Sequence, residues 1–278
     1  MQQNAEPRRF FFLAIAEFFY QRLLDFLDLV GSVWLLLVSV VRWILRSSSQ
    51  RKVRFGWAAL ISQIVRVGVR SILIISLVSG CVGVILVLQM APPLDEYGRK
   101  DFVANITGVA ILRELGPLIA AIVLTGFAGA AIAAEIGTMV VGEEIEALEA
   151  HALNPVRFLV VPRVLATVIS MTCLAVIANL VAVTSGMLMA VFALGIPHQL
   201  YLQNTLDQVK AVDFFTGVGK ATIFGLLIGI IACANGLRVT GGAAGVGRAT
   251  TGTVVQSVVS IIVADLIFTA IFYSLKLV

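Results

Sequence analysis

The segment GGAAGVGRATTG, at residues 241–252, has glycines at the spacing of a phosphate-binding loop. Gly242 and Gly247 match the two glycines of G-x-x-x-x-G-K-[ST], whose backbone N–H groups and lysine hold nucleotide phosphates. That loop follows a β-strand and needs Lys and then Ser or Thr after the second glycine. This chain has Arg248 and Ala249 there, and an apolar stretch of helix length precedes the segment. The sequence therefore predicts a short cytoplasmic loop without a nucleotide site, so ATP and Mg²⁺ would be bound by a partner chain.

A second segment, at residues 135–163, is acidic and lies between two apolar stretches. Its carboxylates are interleaved with apolar residues at helical spacing, and Asn154-Pro155 ends the pattern. A solvated acidic face explains most segments of this kind. The position between two membrane spans also suits a short amphipathic helix that transmits the movement of a cytoplasmic motor to both. The residues of this pattern are Glu143, Glu144, Glu146 and Glu149, with Ile145 and Leu148.

Charged residues within or beside apolar stretches are the third group of candidate functional residues. A charge in a membrane is energetically costly, so such residues are usually paired or functional. Arg113 and Glu114 precede the second predicted span at its outer mouth, and they could pair with each other or lie on a functional path. Asp265 lies near the middle of SIIVADLIFTAIF, where an interhelical hydrogen bond is the ordinary explanation. We expect no second acid or histidine beside it from another span, so a proton pathway is not indicated.

Composition decides which elements must position these residues. Of 278 residues, 59% are hydrophobic and 13% are charged, whereas soluble domains have about 25% charged residues. The mean hydropathy of +1.01 means that the chain requires lipid around it. The net charge of +4 does not indicate nucleic-acid binding, because the basic residues flank apolar runs instead of lining one face. We expect an all-α integral membrane protein with no nucleic-acid partner.

A membrane-spanning helix needs about 20 mostly apolar residues, and five stretches qualify. The predicted spans are residues 71–91, ending at Pro92-Pro93, then 115–134, 164–194, 217–234 and 254–275. Residues 10–45 mix aromatic and charged side chains, which predicts an amphipathic helix in the membrane interface, with a sixth, tilted span as the alternative. Residues 1–50 would then form an interfacial segment and residues 51–278 the membrane domain.

The basic residues before the first span indicate that the N-terminus is cytoplasmic, and five crossings then leave the C-terminus outside. The acidic segment falls on the cytoplasmic side. On the outer side, the pattern of residues 197–215 predicts a helix that lies along the membrane surface.

Two spans carry small residues at every fourth position, which allows close packing of helices in lipid. The pattern fits packing within one subunit and a seam between two subunits equally well. Its members are Thr125, Gly129, Ala133 and Gly137 in the second span, and Gly217, Ala221, Gly225, Gly229 and Cys233 in the fourth.

Four motifs resemble the MlaE family of lipid ABC-transporter permeases, and they follow in the family's order. The resemblance covers the chain from about residue 50 to its end. The motifs are ILRELGP at 111–117, AGAAIAAEIGTMVVGEEIEALEAHALNP at 128–155, VPRVLA at 161–166 and GVGRATTGTVVQS at 245–257.

The resemblance implies a homodimer in which each subunit has an interfacial helix and five spans. It implies a cytoplasmic ABC ATPase docked on the coupling helix between spans two and three, at Gly142, Glu143, Glu144, Ile145, Glu146, Leu148 and Glu149. An MCE-domain protein would bind on the outer side, and some systems add a STAS-domain protein. The implied substrate is a phospholipid in an apolar cavity between the subunits, with Leu86, Leu94 and Tyr97 lining it and Arg113 and Glu114 near the lipid path.

The sequence shows no nucleophile with a nearby base and no metal-ligand spacing, so chemistry on the lipid is not indicated. We therefore expect the membrane subunit of an ATP-driven phospholipid transporter in a bacterial inner membrane. Two alternatives are a passive lipid channel that works without a motor and a scaffold that only anchors outer lipid-binding subunits.

Overall fold

The described part of this protein is almost entirely helical, and short turns join the helices. A computed structural model describes residues 20, 24, 27, 28, 30–46 and 56–276, and every regular element among them is helical. The α-helices are α1 at residues 30–46, α2 Trp57–Val67, α3 Ile72–Glu96, α4 Val103–Ala110, α5 Gly116–Leu124, α6 Ala130–Val141, α7 Glu144–Ala150, α8 Val161–Leu194, α9 His198–Gln208, α10 Ala211–Leu237 and α11 Gly242–Ser274.

Five runs of these helices are long and apolar enough to cross a membrane, which confirms the predicted all-α membrane fold. Short 3-10 or π turns join the successive helices within the first two runs, and a π turn precedes α8 in the third. Each run is longer than the predicted apolar stretch, because hydropathy marks only the apolar part of a helix that continues into polar flanks. The spans are Trp57–Glu96, Lys100–Val141, Val156–Leu194, Ala211–Leu237 and Gly242–Ser274.

The predicted stop of the first span at Pro92-Pro93 is wrong, since α3 continues through both prolines to Glu96. A proline inside a helix removes one backbone hydrogen bond and crowds the carbonyl four residues earlier. Membrane helices tolerate this loss, and here it falls in the last turns of α3. The continuation places Leu94 on the helix and Tyr97 at its C-terminal end.

The segment at residues 241–252 is also not the predicted loop. Gly241, at φ 83°, occupies the left-handed region that favours glycine, and α11 begins at Gly242. The rest of the segment forms the first turns of the fifth span. The chain therefore turns between the fourth and fifth spans at residues 238–241, and the apparent phosphate loop is a helix.

The third span is the central packing partner in the described chain. Its helix α8 has its most extensive contacts with α3 of the first span and α10 of the fourth. Both small-residue stripes are buried within the subunit: Gly129 packs against Ile228, and Gly225 packs against Met171. Of the two alternatives for these stripes, the structure supports packing within one subunit.

Replacing Gly83 with alanine should destabilise the protein by about 1–3 kcal/mol, because the new Cβ would lie 2.1 Å from the carbonyl oxygen of Ala182. Gly80, one turn earlier, is the matched control, since a Cβ there has Val181 as its nearest neighbour at 3.5 Å. Both substitutions bring the same gain in helix propensity, so their difference isolates the steric contact. Thermal unfolding in detergent checks this, and equal melting temperatures for the two variants would contradict it.

Two further helices cover the ends of the bundle. Helix α1 buries Val40 against the core and places Trp43 5.6 Å from the guanidinium of Arg157, at the start of the third span. The other residues of the predicted interfacial segment lie largely outside the described ranges, so its place in the interface stays a prediction. At the opposite end, Tyr201 of α9 is buried, and its OH lies 3.2 Å from Thr107 Oγ1. Burial raises the pKa of this phenol, and the hydrogen bond partly offsets the rise.

Candidate functional site

A lysine and two carboxylates meet inside the bundle, where the second, fourth and fifth spans touch. The Lys220 Nζ donates to Glu114 Oε1 at 2.6 Å and to Thr269 Oγ1 at 2.8 Å. Asp265 Oδ1 lies 3.0 Å from the same nitrogen, at ion-pair distance but without the direction of a hydrogen bond. The Thr269 hydroxyl donates in turn to Glu114 Oε1 at 3.0 Å. Since only 1% of the Lys220 side chain is exposed, these oxygens take the place of water.

The helices position this cluster through local geometry. Asp265 and Thr269 are four residues apart on α11, so they share one face of the fifth span. Glu114 belongs to the π turn Ile111–Leu115, which has a local cause. Pro117 has no N–H to bond the carbonyl four residues earlier, and the N–H of the preceding residue, Gly116, bonds the carbonyl of Ile111 five residues earlier.

A second ion pair joins the second and fourth spans, closer to the start of α10. Arg113 Nε donates to Asp213 Oδ1 at 2.6 Å. The other carboxylate oxygen, Oδ2, accepts the backbone N–H of Lys210 at 2.8 Å and so caps the N-terminus of α10. Asp213 is 1% exposed. Its carboxylate therefore fixes the start of the fourth span and its contact with the second.

The sequence interpretation of these charges requires two corrections. Arg113 and Glu114 pair with residues of the fourth span, so the alternative in which they pair with each other is wrong. Asp265 was also expected to have no second acid beside it from another span, yet Glu114 of the second span shares Lys220 with it. Together these charges hold three spans in one arrangement.

Lys220 is the member that sequence reasoning missed. It lies in GVGKATIFG, within a stretch predicted to cross the membrane. An intramembrane lysine is costly enough to predict a carboxylate partner on a neighbouring helix. That signal was present, although it could not say which carboxylate would be the partner.

The other end of the bundle, which carries α7, has its own ion cluster. Glu135 Oε1 lies 2.6 Å from Arg66 Nη1 and 3.2 Å from Arg163 Nη2, so one carboxylate serves guanidinium groups from two other spans. Arg163 is buried and also donates to the carbonyl of Leu159 at 2.9 Å. The cluster ties the first, second and third spans together close to α7. We refer to this end as the α7 end.

Helix α7 lies between the second and third spans, at the place of the predicted coupling helix. It covers Glu144–Ala150 and is flanked by two non-glycine residues in the left-handed region, Glu143 at φ 59° and Ala152 at φ 58°. The helix therefore ends earlier than the predicted limit at Asn154-Pro155. Ile145 packs against the core of the bundle, while the glutamates of α7 are exposed.

The predicted substrate residues divide into two groups. Leu94 packs partly buried against a cluster that includes Val87 and Tyr201, and Leu86 is half-buried on the same helix. Tyr97 is 80% exposed. Arg113 and Glu114, in contrast, contact the fourth and fifth spans. The role of all five in substrate binding stays a prediction.

The described residues bring together no group of three or more His, Cys, Asp or Glu side chains that could hold a metal ion. What the charged clusters can do is hold helices in a defined arrangement, because breaking a buried pair is unfavourable. They are therefore candidate positions at which movement of the spans is controlled.

Comparison with known proteins agrees with this architecture. The family model described as Permease MlaE matches residues 60–271. A probable ABC transporter permease protein of Rickettsia felis is 33% identical over 261 residues, which cover 94% of this chain and 98% of the relative. A probable ABC transporter permease protein of Rickettsia prowazekii is 35% identical over 77% of this chain and 83% of its own length. The chloroplastic protein TRIGALACTOSYLDIACYLGLYCEROL 1 of Arabidopsis thaliana is 31% identical over 80% of this chain and 63% of its own length.

Proposed function

Because this chain belongs to the MlaE permease family, and is thus a multi-pass permease subunit of an ABC transporter, we propose that it moves phospholipid. The lipid would pass between a bacterial inner membrane and an MCE-domain partner on the outer side. The observation that carries the proposal is the family match across all five spans. The name of the Arabidopsis relative, which contains that of a glycerolipid, supports a lipid substrate.

The ATPase partner would dock on α7 and bind ATP and Mg²⁺ itself. The exposed glutamates of α7 face away from the bundle, whereas Ile145 anchors the helix to the core. A basic surface on the ATPase would complement these carboxylates. Because α7 joins the second span directly to the third, a displacement of α7 acts on both. In this assignment the α7 end is cytoplasmic and the chain's C-terminus is periplasmic.

A second copy of the chain would complete the lipid cavity. The fifth span has a continuous exposed face in which small residues, Gly247 and Thr251, are followed by Val255 and Val259. Small residues allow close approach of helices in a membrane, so this face suits a homodimer contact. Leu86, Leu94 and Tyr97 would line the cavity between the subunits, with Arg113 and Glu114 near the lipid path. A STAS-domain protein would be an additional cytoplasmic partner.

The function can be tested by reconstituting the chain in proteoliposomes with fluorescent phospholipid and an MCE-domain acceptor. We expect lipid transfer to require the ATPase subunit and ATP, and the chain alone to hydrolyse no ATP. Lipid movement in vesicles that contain only this chain would favour a passive channel. Unchanged transfer after substitution of Leu86 and Arg113, in complexes that still assemble, would favour a scaffold.

The docking surface has a matched control in the same assay. The double variant Glu143→Lys/Glu144→Lys should weaken ATPase association at least about tenfold, equivalent to about 1.4 kcal/mol, because four units of charge change at the contact. Glu96→Lys/Asp207→Lys makes the same charge change at exposed positions of the opposite end. Equal association for the two double variants would contradict docking on α7.

A further inference from the structure

A small cavity opens between the first and second spans at the α7 end. It has a volume of about 130 Å³, well above the roughly 10–15 Å³ that one water needs. Its lining is polar at one end and apolar at the other. The polar lining is Arg66, Arg70 and Glu135, and the apolar lining includes Phe127, Ala131 and Ile132.

The charge around the cavity favours an anion. Among the described residues of the lining, Glu135 is the one carboxylate, and it is shared between Arg66 and Arg163. Arg70 is exposed and has no ion pair within the part of the chain that the structure describes. Two arginines and one carboxylate therefore line the cavity, Arg163 outside the lining shares that carboxylate, and Arg70 remains available for a further acceptor.

The surface around the cavity exposes apolar side chains. Phe127 is 42% exposed, and it lies about 12 Å along the second span from Glu135 at 1.5 Å per residue. On the first span, α2 exposes Trp57, Ile61 and Val65, which are spaced four residues apart and so form one apolar stripe. A ligand of the cavity thus meets arginine side chains at one end and apolar side chains at the other.

We propose that this cavity binds the headgroup phosphate of a glycerophospholipid from the leaflet at the α7 end. Arg70 and Arg66 donate to the phosphate, for which the planar guanidinium offers two parallel N–H groups. An acyl chain lies against Phe127 and Ala131. Free phosphate would satisfy the arginines but would leave the apolar wall uncovered, and only a lipid occupies both parts.

The bound lipid is distinct from a lipid in the proposed transport cavity. Arg70 and Leu86 are separated by about 24 Å along the first span at 1.5 Å per residue. The phosphate also competes with Glu135 for Arg66, so its binding weakens the ion pair between the first and second spans. This site is therefore one for a resident lipid that adjusts the packing of two spans beside α7.

Native mass spectrometry of the purified full-length chain, titrated with phosphatidylglycerol in mild detergent, tests the proposal. We expect Arg70→Glu and Ala131→Phe each to weaken the tightest lipid-binding event at least about tenfold. Arg46→Glu, an exposed arginine at the end of α1, should leave that event unchanged. Leu86→Trp, which changes the proposed transport cavity, should also retain it. Unfolding temperatures show which variants fold, and Arg70→Gln replaces any that do not.

Several results would overturn the proposal. Unchanged lipid binding in Arg70→Glu and Ala131→Phe would mean that the cavity does not hold the lipid. An equal loss in Arg46→Glu would indicate attraction to the basic surface as a whole. Displacement of the lipid by the same concentration of inorganic phosphate would assign the arginines to a free anion. Protection of Arg70 from chemical modification by the ATPase subunit, and not by lipid, would assign them to a protein contact.

Discussion

Replacing Lys220 with alanine should lower the free energy of unfolding by about 3–5 kcal/mol, the usual cost of removing one partner of a buried ion pair. Glu114 and Asp265 both lie within 3.0 Å of the Lys220 Nζ, so the variant leaves two carboxyl groups facing each other without a cation. Water replaces the lost cation only in part, because the Glu114 side chain is 35% exposed and that of Asp265 is 17% exposed. Unfolding in detergent, followed by circular dichroism, measures the loss.

Lys100 provides the matched control for this prediction. It also pairs with a carboxylate, Asp95, at 2.8 Å, but both side chains are about half exposed. An exposed pair contributes about 0–1 kcal/mol, so Lys100→Ala should have little effect. Combining Lys220→Met with Glu114→Gln and Asp265→Asn removes all three charges and should recover much of the lost stability. The interpretation fails if Lys220→Ala and Lys100→Ala melt at the same temperature.

Replacing Asp213 with alanine should be nearly as severe, again at about 3–5 kcal/mol for the buried pair. The side chain accepts from Arg113 and from the backbone N–H of Lys210, so the variant loses an ion pair and a helix cap at once. The cap alone is worth about 0.5–2 kcal/mol. The effect should include fraying of the first turn of α10, which hydrogen exchange of the backbone amides detects.

Asp213→Asn separates the two losses. An amide oxygen can still accept the Lys210 N–H, so the cap is retained while the negative charge opposite Arg113 is removed. We expect Asn to fall between aspartate and alanine in stability and to keep the first turn of α10 protected from exchange. Equal exchange in the Asn and Ala variants would show that the cap does not depend on this side chain.

Hydropathy was sufficient to predict the five spans, because a stretch of about 20 mostly apolar residues is typical of a membrane-spanning helix. Hydropathy could not predict the residues at which the helices begin and end. Backbone hydrogen bonds continue a helix through polar or proline-containing sequence when neighbouring helices support it, as at Pro92-Pro93. The glycines after Gly241 were interpreted as a loop for the same reason, since local propensity disfavours a helix that packing against the second span stabilises.

A single sequence could not predict which residues of the candidate site contact each other. Lys220 and Glu114 are 106 residues apart, and Lys220 and Thr269 are 49 apart. Their meeting depends on how each helix is rotated about its axis, which is set by packing on all sides. The charged residues themselves were visible in the sequence. A lysine within the fourth span and an aspartate within the fifth are a signal from which their ion pair could have been predicted.

The π turn at Ile111–Leu115 places a strict requirement on residue number in the second span. Each residue of an α-helix turns the chain by about 100°, so deleting one residue from this turn would leave a regular helix whose two halves are rotated against each other by that angle. Thr107 would then turn away from Tyr201, or Glu114 from Lys220, although the span would stay equally apolar. Length variation in this protein should therefore be tolerated in the turns between spans and rejected here, where a missing residue changes direction more than it changes length.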